Sequence, residues 1–136
     1  MDWQSKMNSG ENSPDIRVAN LMDSLDSPTE NAEPTENAEL IDILAHGENI
    51  RVERIVSNGH SSEPGFWYDD PNAEWVTVLS GEARLRFLVN DKLVHLRRGD
   101  HITIQPHEKH RVEWTTPDEQ TVWLAIYFLP LSRTKS

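Results

Sequence analysis

The chain has 136 residues, enough for one domain with a hydrophobic core, and its lack of cysteine excludes disulfides, thiolate metal sites and cysteine nucleophiles. The formal net charge is -10, but residues 1–49 hold eleven acidic and two basic side chains, so residues 50–136 carry a net charge of only -1. Without a basic face to contact phosphates, nucleic-acid binding is not expected. Residues 1–10 lack a basic start and an apolar run, and no apolar run reaches about eighteen residues, so we expect neither export nor a membrane span. The lack of cysteine fits a cytoplasmic protein, which is the location we expect.

The first 35 residues are predicted to be a disordered or extended acidic leader. Residues 1–15 are polar and bury too little apolar surface to offset the entropy lost on ordering. Apolar residues three and four apart in 16–25 are typical of a short helical turn or of an edge strand laid on the core. The hexapeptide PTENAE then occurs twice, at 28–33 and 34–39. This repeat is either a recognition element or a solvated linker lengthened by duplication, and we favour the linker.

The folded domain is predicted to span residues 36–136 and to begin with a helix at 36–46. Leu40, Ile43 and Leu44 share one helical face, acidic side chains occupy the first turns, and Gly47 follows as a C-terminal stop. We expect this helix to cover one end or edge of the sheet that follows it.

From residue 50 onward, apolar and polar residues alternate with the period of two that is typical of strands. Glu74, Val76 and Val78 share one strand face, and Asn90 with Asp91 predicts a tight hairpin because both tolerate left-handed backbone angles. The segment 121–128 is apolar on both faces, so it should be central or covered by a partner. Seven or more short strands favour an all-β sandwich or barrel of antiparallel strands. The predicted strands are 50–56, 74–79, 82–87, 93–96, 101–105, 111–114 and 121–128.

Two stretches, 65–81 and 99–110, place chemistry-bearing residues at fixed spacings. Gly81 follows Glu74 by seven positions, and His110 follows Gly99 by eleven. With these spacings the region 51–128 resembles the cupin family, which implies a jelly-roll β-barrel. The segments at 67–69, 74–76 and 110–114 look like those of small bacterial single-domain cupins. The resemblance also implies a homodimer paired through its sheets.

The family places two histidines, separated by one residue, about four positions before the glutamate. In this chain those positions are 67 and 69, or 68 and 70, and neither pair contains histidine. In metal-binding cupins the second histidine, the glutamate and the late histidine share one ion, which implies Asp69, Glu74 and His110 as ligands. Two carboxylates and one imidazole suit Mn(II), Fe(II) or Mg(II) better than a closed zinc site. We therefore predict a divalent metal ion with a small polar metabolite, and a metal-dependent reaction of unspecified type if the protein is an enzyme.

Each of these three residues also has a structural alternative. Asp69 can cap the turn at 70–72, and His110 can be a hydrogen-bonded core histidine. Glu74 can pair with an arginine, because an inward-facing charge is costly unless it is paired. If these alternatives hold, the cavity is metal-free and binds a small organic ligand without catalysis. The candidate arginines are Arg54, Arg84 and Arg111.

Four further residues are candidates for the same site. Tyr68 is a candidate catalytic acid or base at the barrel mouth, although an interfacial tyrosine packed on the sheet is the simpler interpretation. Trp67 and Trp114 flank the two stretches and are candidates for an aromatic ligand pocket. His107 lies in the turn before His110 and is a pocket candidate, with solvent exposure as its alternative. No nucleophile elbow and no glycine-rich phosphate loop is present.

Overall fold

A computed structural model describes residues 16–26, 32–34 and 39–131. Residues 1–15, which were predicted to be disordered, lie outside the described residues. So does most of the acidic repeat at 28–39. Within these ranges the chain forms nine strands and a single-turn 3-10 segment at Val89–Asp91. The strands are β1 Ala32–Pro34, β2 Leu40–Gly47, β3 Ile50–Ser57, β4 Ala73–Ser80, β5 Glu82–Phe87, β6 Lys92–Arg97, β7 His101–Ile104, β8 His110–Thr115 and β9 Thr121–Phe128.

The strands form two antiparallel sheets that share one core. One sheet has six strands in the order β1-β2-β3-β9-β4-β7, and the other has three in the order β6-β5-β8. Apolar side chains from both sheets fill the space between them, among them Val78, Leu85, Val112 and Trp123. Two antiparallel sheets closed around one core form a jelly-roll arrangement, so the predicted all-β fold is confirmed.

The burial of individual strands follows the alternation read from the sequence. In β5 the side chains of Ala83, Leu85 and Phe87 are buried, while the charged residues between them are only half-buried. Strand β9 lies between β3 and β4, as its two apolar faces predict. Val122 and Trp123 point to opposite faces of the sheet, and both are buried.

The predicted helix at 36–46 is wrong. Leu40–Gly47 forms β2, which pairs antiparallel with β3 and contains a bulge between Ile43 and Ala45. Apolar residues three and four apart do not distinguish a short helix from a bulged strand, and the neighbouring strand then decides between them. Residue 39, just before β2, is thereby brought to the edge of the barrel interior.

Residues 16–26 contain a turn at 21–22 and no strand, and residues 21–24 contact Arg54 on the face of β3 opposite the core residue Ile55. The guanidinium of Arg54 donates hydrogen bonds to the carbonyl oxygens of Leu21, at 3.1 Å, and Asp23, at 2.6 Å. The same guanidinium forms a buried ion pair with Asp42. This part of the predicted leader therefore shields a buried charge pair. The division between leader and domain at residue 35 stays a prediction, because residues 27–31 and 35–38 are not described.

The turn between β5 and β6 has the backbone that the sequence predicted. Asn90 has a φ of 62° and Asp91 a φ of 50°, both in the left-handed region. Within the described ranges, no helix is long and apolar enough to cross a membrane.

Candidate functional site in the barrel interior

A cavity of about 50 Å³ lies between the two sheets. Its walls are mainly apolar, with Val76, Leu85 and Trp123 among them, but several ionisable side chains also line it. A concave apolar site with a few converging polar groups is the usual form of a small-molecule site. The ionisable side chains are Glu39, Tyr68, Glu74, His110 and Tyr127.

Glu74 and His110 face each other across this cavity. Glu74 lies near the start of β4, on the inner face that also carries Val76 and Val78, and His110 is the first residue of β8. Their side chains are 11 % and 8 % exposed, and Glu74 Oε1 lies 3.6 Å from His110 Nε2. The spacing motifs therefore predicted correctly that these two residues meet inside the barrel.

The second ring nitrogen of His110 determines where its protons lie. His110 Nδ1 is 2.9 Å from the Glu108 carbonyl oxygen, and because a carbonyl only accepts, Nδ1 must carry a hydrogen. His110 Nε2 is then protonated only in the imidazolium form. In that form Nε2–H points towards the Glu74 carboxylate, whose Oε1 lies 3.6 Å away.

The pKa of His110 is raised above its ordinary value. Burial acts to lower this pKa, but the Glu74 carboxylate and the Glu108 carbonyl oxygen stabilise the imidazolium more strongly. A histidine with a raised pKa beside a carboxylate can give up or accept a proton near neutral pH. This is the property required of a general acid or base.

Tyr68 joins this pair to a second buried carboxylate. The Tyr68 ring stacks on His110, with 5.4 Å between ring centroids, and the two residues also pair through their backbones. The Tyr68 hydroxyl donates a 2.9 Å hydrogen bond to Glu39 Oε1, and Ser57 Oγ donates another of 2.9 Å to Glu39 Oε2. The structure thus places the predicted catalytic candidate Tyr68 at the cavity, bonded to Glu39.

Glu39 is a site residue that the sequence interpretation missed. It is 5 % exposed, and burial raises the pKa of its carboxyl group, although the hydrogen bonds from Ser57 and Tyr68 partly oppose this. Glu39 was missed because the predicted helix at 36–46 placed it in a solvated first turn, whereas the segment that follows it is the strand β2. With β2 as a strand, Glu39 shares the inward face with Ile41.

Tyr127 closes one side of the cavity, next to Glu74 across the β4–β9 pair. Its pKa is held well above the usual tyrosine value by burial and by the carboxylates of Glu74 and Glu53. The Arg51 guanidinium lies over the Tyr127 ring, 4.4 Å from its centroid, and is paired with the buried Glu53. Tyr127 therefore stays a neutral phenol at physiological pH.

Asp69 lies apart from Glu74 and His110. Asp69 Oδ1 is 2.8 Å from Nδ1 of His107, and the Asp69 and His107 side chains are 40 % and 67 % exposed. The turn-capping role considered for Asp69 is filled by Asp70, whose Oδ1 accepts a 2.8 Å hydrogen bond from the Asn72 backbone N–H. The structure therefore assigns Asp69 and His107 to a solvent-exposed pair beside the barrel.

The two candidate pocket tryptophans contact arginines. Trp114 packs under the guanidinium of Arg84, whose Cζ is 4.6 Å from the ring centroid. Trp67 has the Arg111 guanidinium 6.0 Å from its ring. Neither tryptophan is among the described residues that line the barrel cavity.

None of the three candidate arginines is the ionic partner of Glu74. Arg84 stacks on Trp114, Arg54 pairs with Asp42, and Arg111 lies 3.4 Å from Glu113. Glu74 instead has His110 as its charged neighbour.

The predicted metal ligands do not fit a three-ligand site. In the ranges that the structure describes, no three His, Asp or Glu side chains converge on a point where an ion could bind. Asp69, Glu74 and His110 fail as a set because Asp69 is engaged by His107 outside the barrel. Of the three predicted ligands, only Glu74 and His110 line the cavity.

The fold is thus a small jelly-roll β-barrel, with a glutamate and a histidine facing each other inside it. The family model for the cupin domain matches residues 53–127, and the chain belongs to the cupin family. No curated protein was found with a significant match to the sequence.

Several solved structures share this fold. A candidate mannose-6-phosphate isomerase from Ralstonia eutropha JMP134 is 36% identical, with a TM-score of 0.73 over 85% of this chain and 100% of that chain. An RmlC-like cupin from Shewanella frigidimarina NCIMB 400 is 15% identical, with a TM-score of 0.59 over 73% and 83% of the two chains. The iron(II) protein HppE is 13% identical, with a TM-score of 0.57 over 69% and 53% of the two chains. The last two likenesses show the fold alone.

Proposed function

We propose that this cupin binds a small polyhydroxy compound with one end in the barrel cavity, where Glu74 and His110 move a proton on it. The observation that carries the proposal is the buried contact between the Glu74 carboxylate and His110 Nε2 inside a cavity. Buried acid–base pairs facing a cavity are characteristic of catalytic sites.

The chemistry of the lining supports a ligand with hydroxyl groups. Glu39 and Glu74 offer carboxylate oxygens, which accept hydrogen bonds from hydroxyls and repel an anionic group. Tyr68 can donate to a ligand oxygen when its hydroxyl leaves Glu39, since the phenol is a donor and an acceptor. An uncharged hydroxyl end is therefore the group that suits this cavity.

The 36% identical Ralstonia protein suggests a specific reaction class. Isomerisation of an aldose to a ketose needs a base that removes a proton from one carbon and returns it to the neighbouring carbon. One residue of the Glu74–His110 pair can take this proton while its partner protonates or polarises the carbonyl oxygen. Sugar isomerisation is thus a reaction that the pair could perform without a metal ligand from Asp69.

The test is proton exchange on sugars in D₂O, followed by proton NMR. Mannose 6-phosphate, mannose, glucose 6-phosphate and glyceraldehyde 3-phosphate serve as probes, with fructose 6-phosphate as the product to detect. We expect deuterium incorporation next to the carbonyl of at least one sugar. We also expect the rate to fall about 100-fold or more in Glu74→Gln and in His110→Gln, since acid–base groups contribute roughly that factor.

Matched variants separate this role from general damage to the barrel. Glu119→Gln and His101→Gln change the same residue types at exposed positions and should keep the wild-type rate. Absence of exchange with every sugar of the panel, or wild-type rates in both cavity variants, would contradict the proposal.

The divalent ion expected from the family resemblance is tested in the same assay. Elemental analysis and a chelator arm with added Mn(II), Fe(II) or Zn(II) measure metal content and metal dependence. Exchange that survives chelation supports metal-independent proton transfer. Exchange that requires one equivalent of metal, lost in both Glu74→Gln and His110→Ala, would replace it with a metal-dependent mechanism.

A further inference from the structure

A groove of about 390 Å³ lies at the end of the barrel, formed by the turn between β2 and β3 together with Asn72. Tyr127 lines both this groove and the inner cavity, so the two spaces adjoin at this side chain. The inner cavity of about 50 Å³ holds little more than the end of a metabolite, whereas metabolite pockets typically measure about 300–1,000 Å³. A ligand whose end reaches Glu74 from this side must leave most of its body in the groove.

The two compartments differ in charge. The inner cavity holds the carboxylates of Glu39 and Glu74, while the groove is lined by Arg51, which is paired with Glu53, and by Glu48, His46 and the side chains of two asparagines. The Arg51 side chain is 39% exposed. Its Nε bonds Glu53, and its terminal nitrogens donate no hydrogen bond to any residue that the structure describes. Those nitrogens are therefore available to an acceptor in the groove.

Arg51 is also held in one orientation. The buried Glu53 fixes its Nε, and the Tyr127 ring supports the guanidinium plane from one side at 4.4 Å. A fixed guanidinium with free donors is suited to phosphate and carboxylate, which it can bind through two parallel hydrogen bonds. Fixing the side chain in advance lowers the entropy cost of binding.

We infer that Arg51 is a specificity residue that binds the anionic group of the ligand in the groove while a hydroxylated end passes Tyr127 into the cavity. This inference rests on the proposed function and names its substrate class: a small hydroxy compound with a phosphate or carboxylate at the far end. Glu48, Glu53 and Asp70 oppose the anion, so the selectivity for charge comes from Arg51, the arginine in the groove lining.

Binding of matched probes to the full-length protein tests this inference. Mannose, mannose 6-phosphate and gluconate present no anion, a phosphate and a carboxylate, and calorimetry or intrinsic tryptophan fluorescence gives their affinities. We expect one or both anionic probes to bind at least about tenfold more tightly than mannose. We expect this preference to disappear in Arg51→Gln and to persist in Arg97→Gln, an exposed arginine on another strand.

Glu53→Gln distinguishes recognition from a structural role. It removes the carboxylate that competes for Arg51, so it should strengthen binding of the anionic probes, whereas a merely structural ion pair would weaken it. Since Arg51→Gln leaves the buried Glu53 without its partner, the double variant Arg51→Gln/Glu53→Gln provides a neutral pair and should show no anion preference. Equal affinities for mannose and both anions, or an unchanged preference in the double variant, would overturn the inference.

Inorganic phosphate separates this inference from the proposed proton transfer. It contains the anion without the polyol, so it probes the groove and not the Glu74–His110 pair. We expect it to shift the backbone amide NMR signals of Gly47 and Asn72 in the wild type but not in Arg51→Gln. Loss of sugar exchange with retained, Arg51-dependent phosphate shifts would reject the proton-transfer reaction and keep the groove. No phosphate shift in the wild type would reject the groove.

Discussion

Glu39 is a buried carboxyl group in the lining of the barrel cavity. It is buried with hydrogen bonds from Tyr68 and Ser57, and Trp123 Nε1 donates to the same serine oxygen at 3.2 Å. The raised pKa of Glu39 means that the folded protein binds its proton more strongly than the unfolded chain does. Its contribution to stability is therefore complete below the unfolded pKa and is lost as the pH rises through the folded pKa.

Glu39→Gln should remove the loss of stability at higher pH, because the glutamine amide does not ionise. The amide can still form hydrogen bonds with the hydroxyls of Ser57 and Tyr68. We expect the variant to have a higher melting temperature than the wild type at pH 7, with the difference shrinking towards pH 4. Thermal unfolding across that range measures it. Glu119→Gln, at an exposed position, should leave the pH dependence of unfolding unchanged. The melting temperature of Glu39→Gln minus that of the wild type should be larger at pH 7 than at pH 4. A difference that is smaller at pH 7 than at pH 4 would contradict the raised pKa of Glu39.

Individual site residues were predictable to different degrees. Glu74 and His110 could be predicted because their spacing from Gly81 and Gly99 matches the two motifs of the cupin family. The partner of Asp69 could not be predicted, since a loop residue takes its neighbours from tertiary structure, and here the neighbour is His107. Of the three metal ligands that the family resemblance implied, Glu74 and His110 thus line the cavity and Asp69 lies at the surface.

At the scale of single elements, Gly81 and Gly99, the glycines of the two spaced stretches, differ in why glycine is needed. Gly81 and Gly99 both have left-handed backbone angles, with φ of 83° and 90°. A Cβ at Gly81 would lie 2.6 Å from the Cα of Thr121, while a Cβ at Gly99 would meet no atom within 4 Å. The first glycine is required by packing and conformation together, and the second by conformation alone.

Alanine at these two positions therefore gives a matched comparison. We expect Gly99→Ala to lower the free energy of unfolding by about 1–2 kcal/mol, the cost of a left-handed residue. Gly81→Ala should lower it by about 2–5 kcal/mol, because steric overlap with β9 adds to that cost. Urea denaturation of both variants measures the difference. Equal losses would show that β9 yields to the added methyl group.

The strands were easier to predict than the element before them. Alternation over β4, β5 and β9 is unambiguous because one face of each strand must be buried. Segment 36–46 has no such alternation, and its pairing partner β3 lies later in the chain. A helix was therefore predicted where a bulged strand forms, and Glu39 was consequently missed.

At the scale of the whole molecule, much of the acidic composition precedes the barrel, because residues 1–38 hold eight acidic and two basic side chains. Residues 16–26 nevertheless contact the larger sheet through Arg54, and Gln120 donates a 2.7 Å hydrogen bond to Asp26. The cavity between the sheets brings five ionisable side chains together, Glu74 and Tyr127 among them. The homodimer implied by the family resemblance remains a prediction.

The central claim is that the Glu74 carboxylate stabilises the imidazolium form of His110 inside the barrel. The most direct measurement is an NMR titration of the His110 ring in the wild type and in Glu74→Gln, with His110→Gln used to assign the signal. The account predicts a His110 pKa above the ordinary histidine value in the wild type and a lower pKa in Glu74→Gln, where burial is no longer opposed by the carboxylate. A His110 pKa that is the same in both proteins would contradict it.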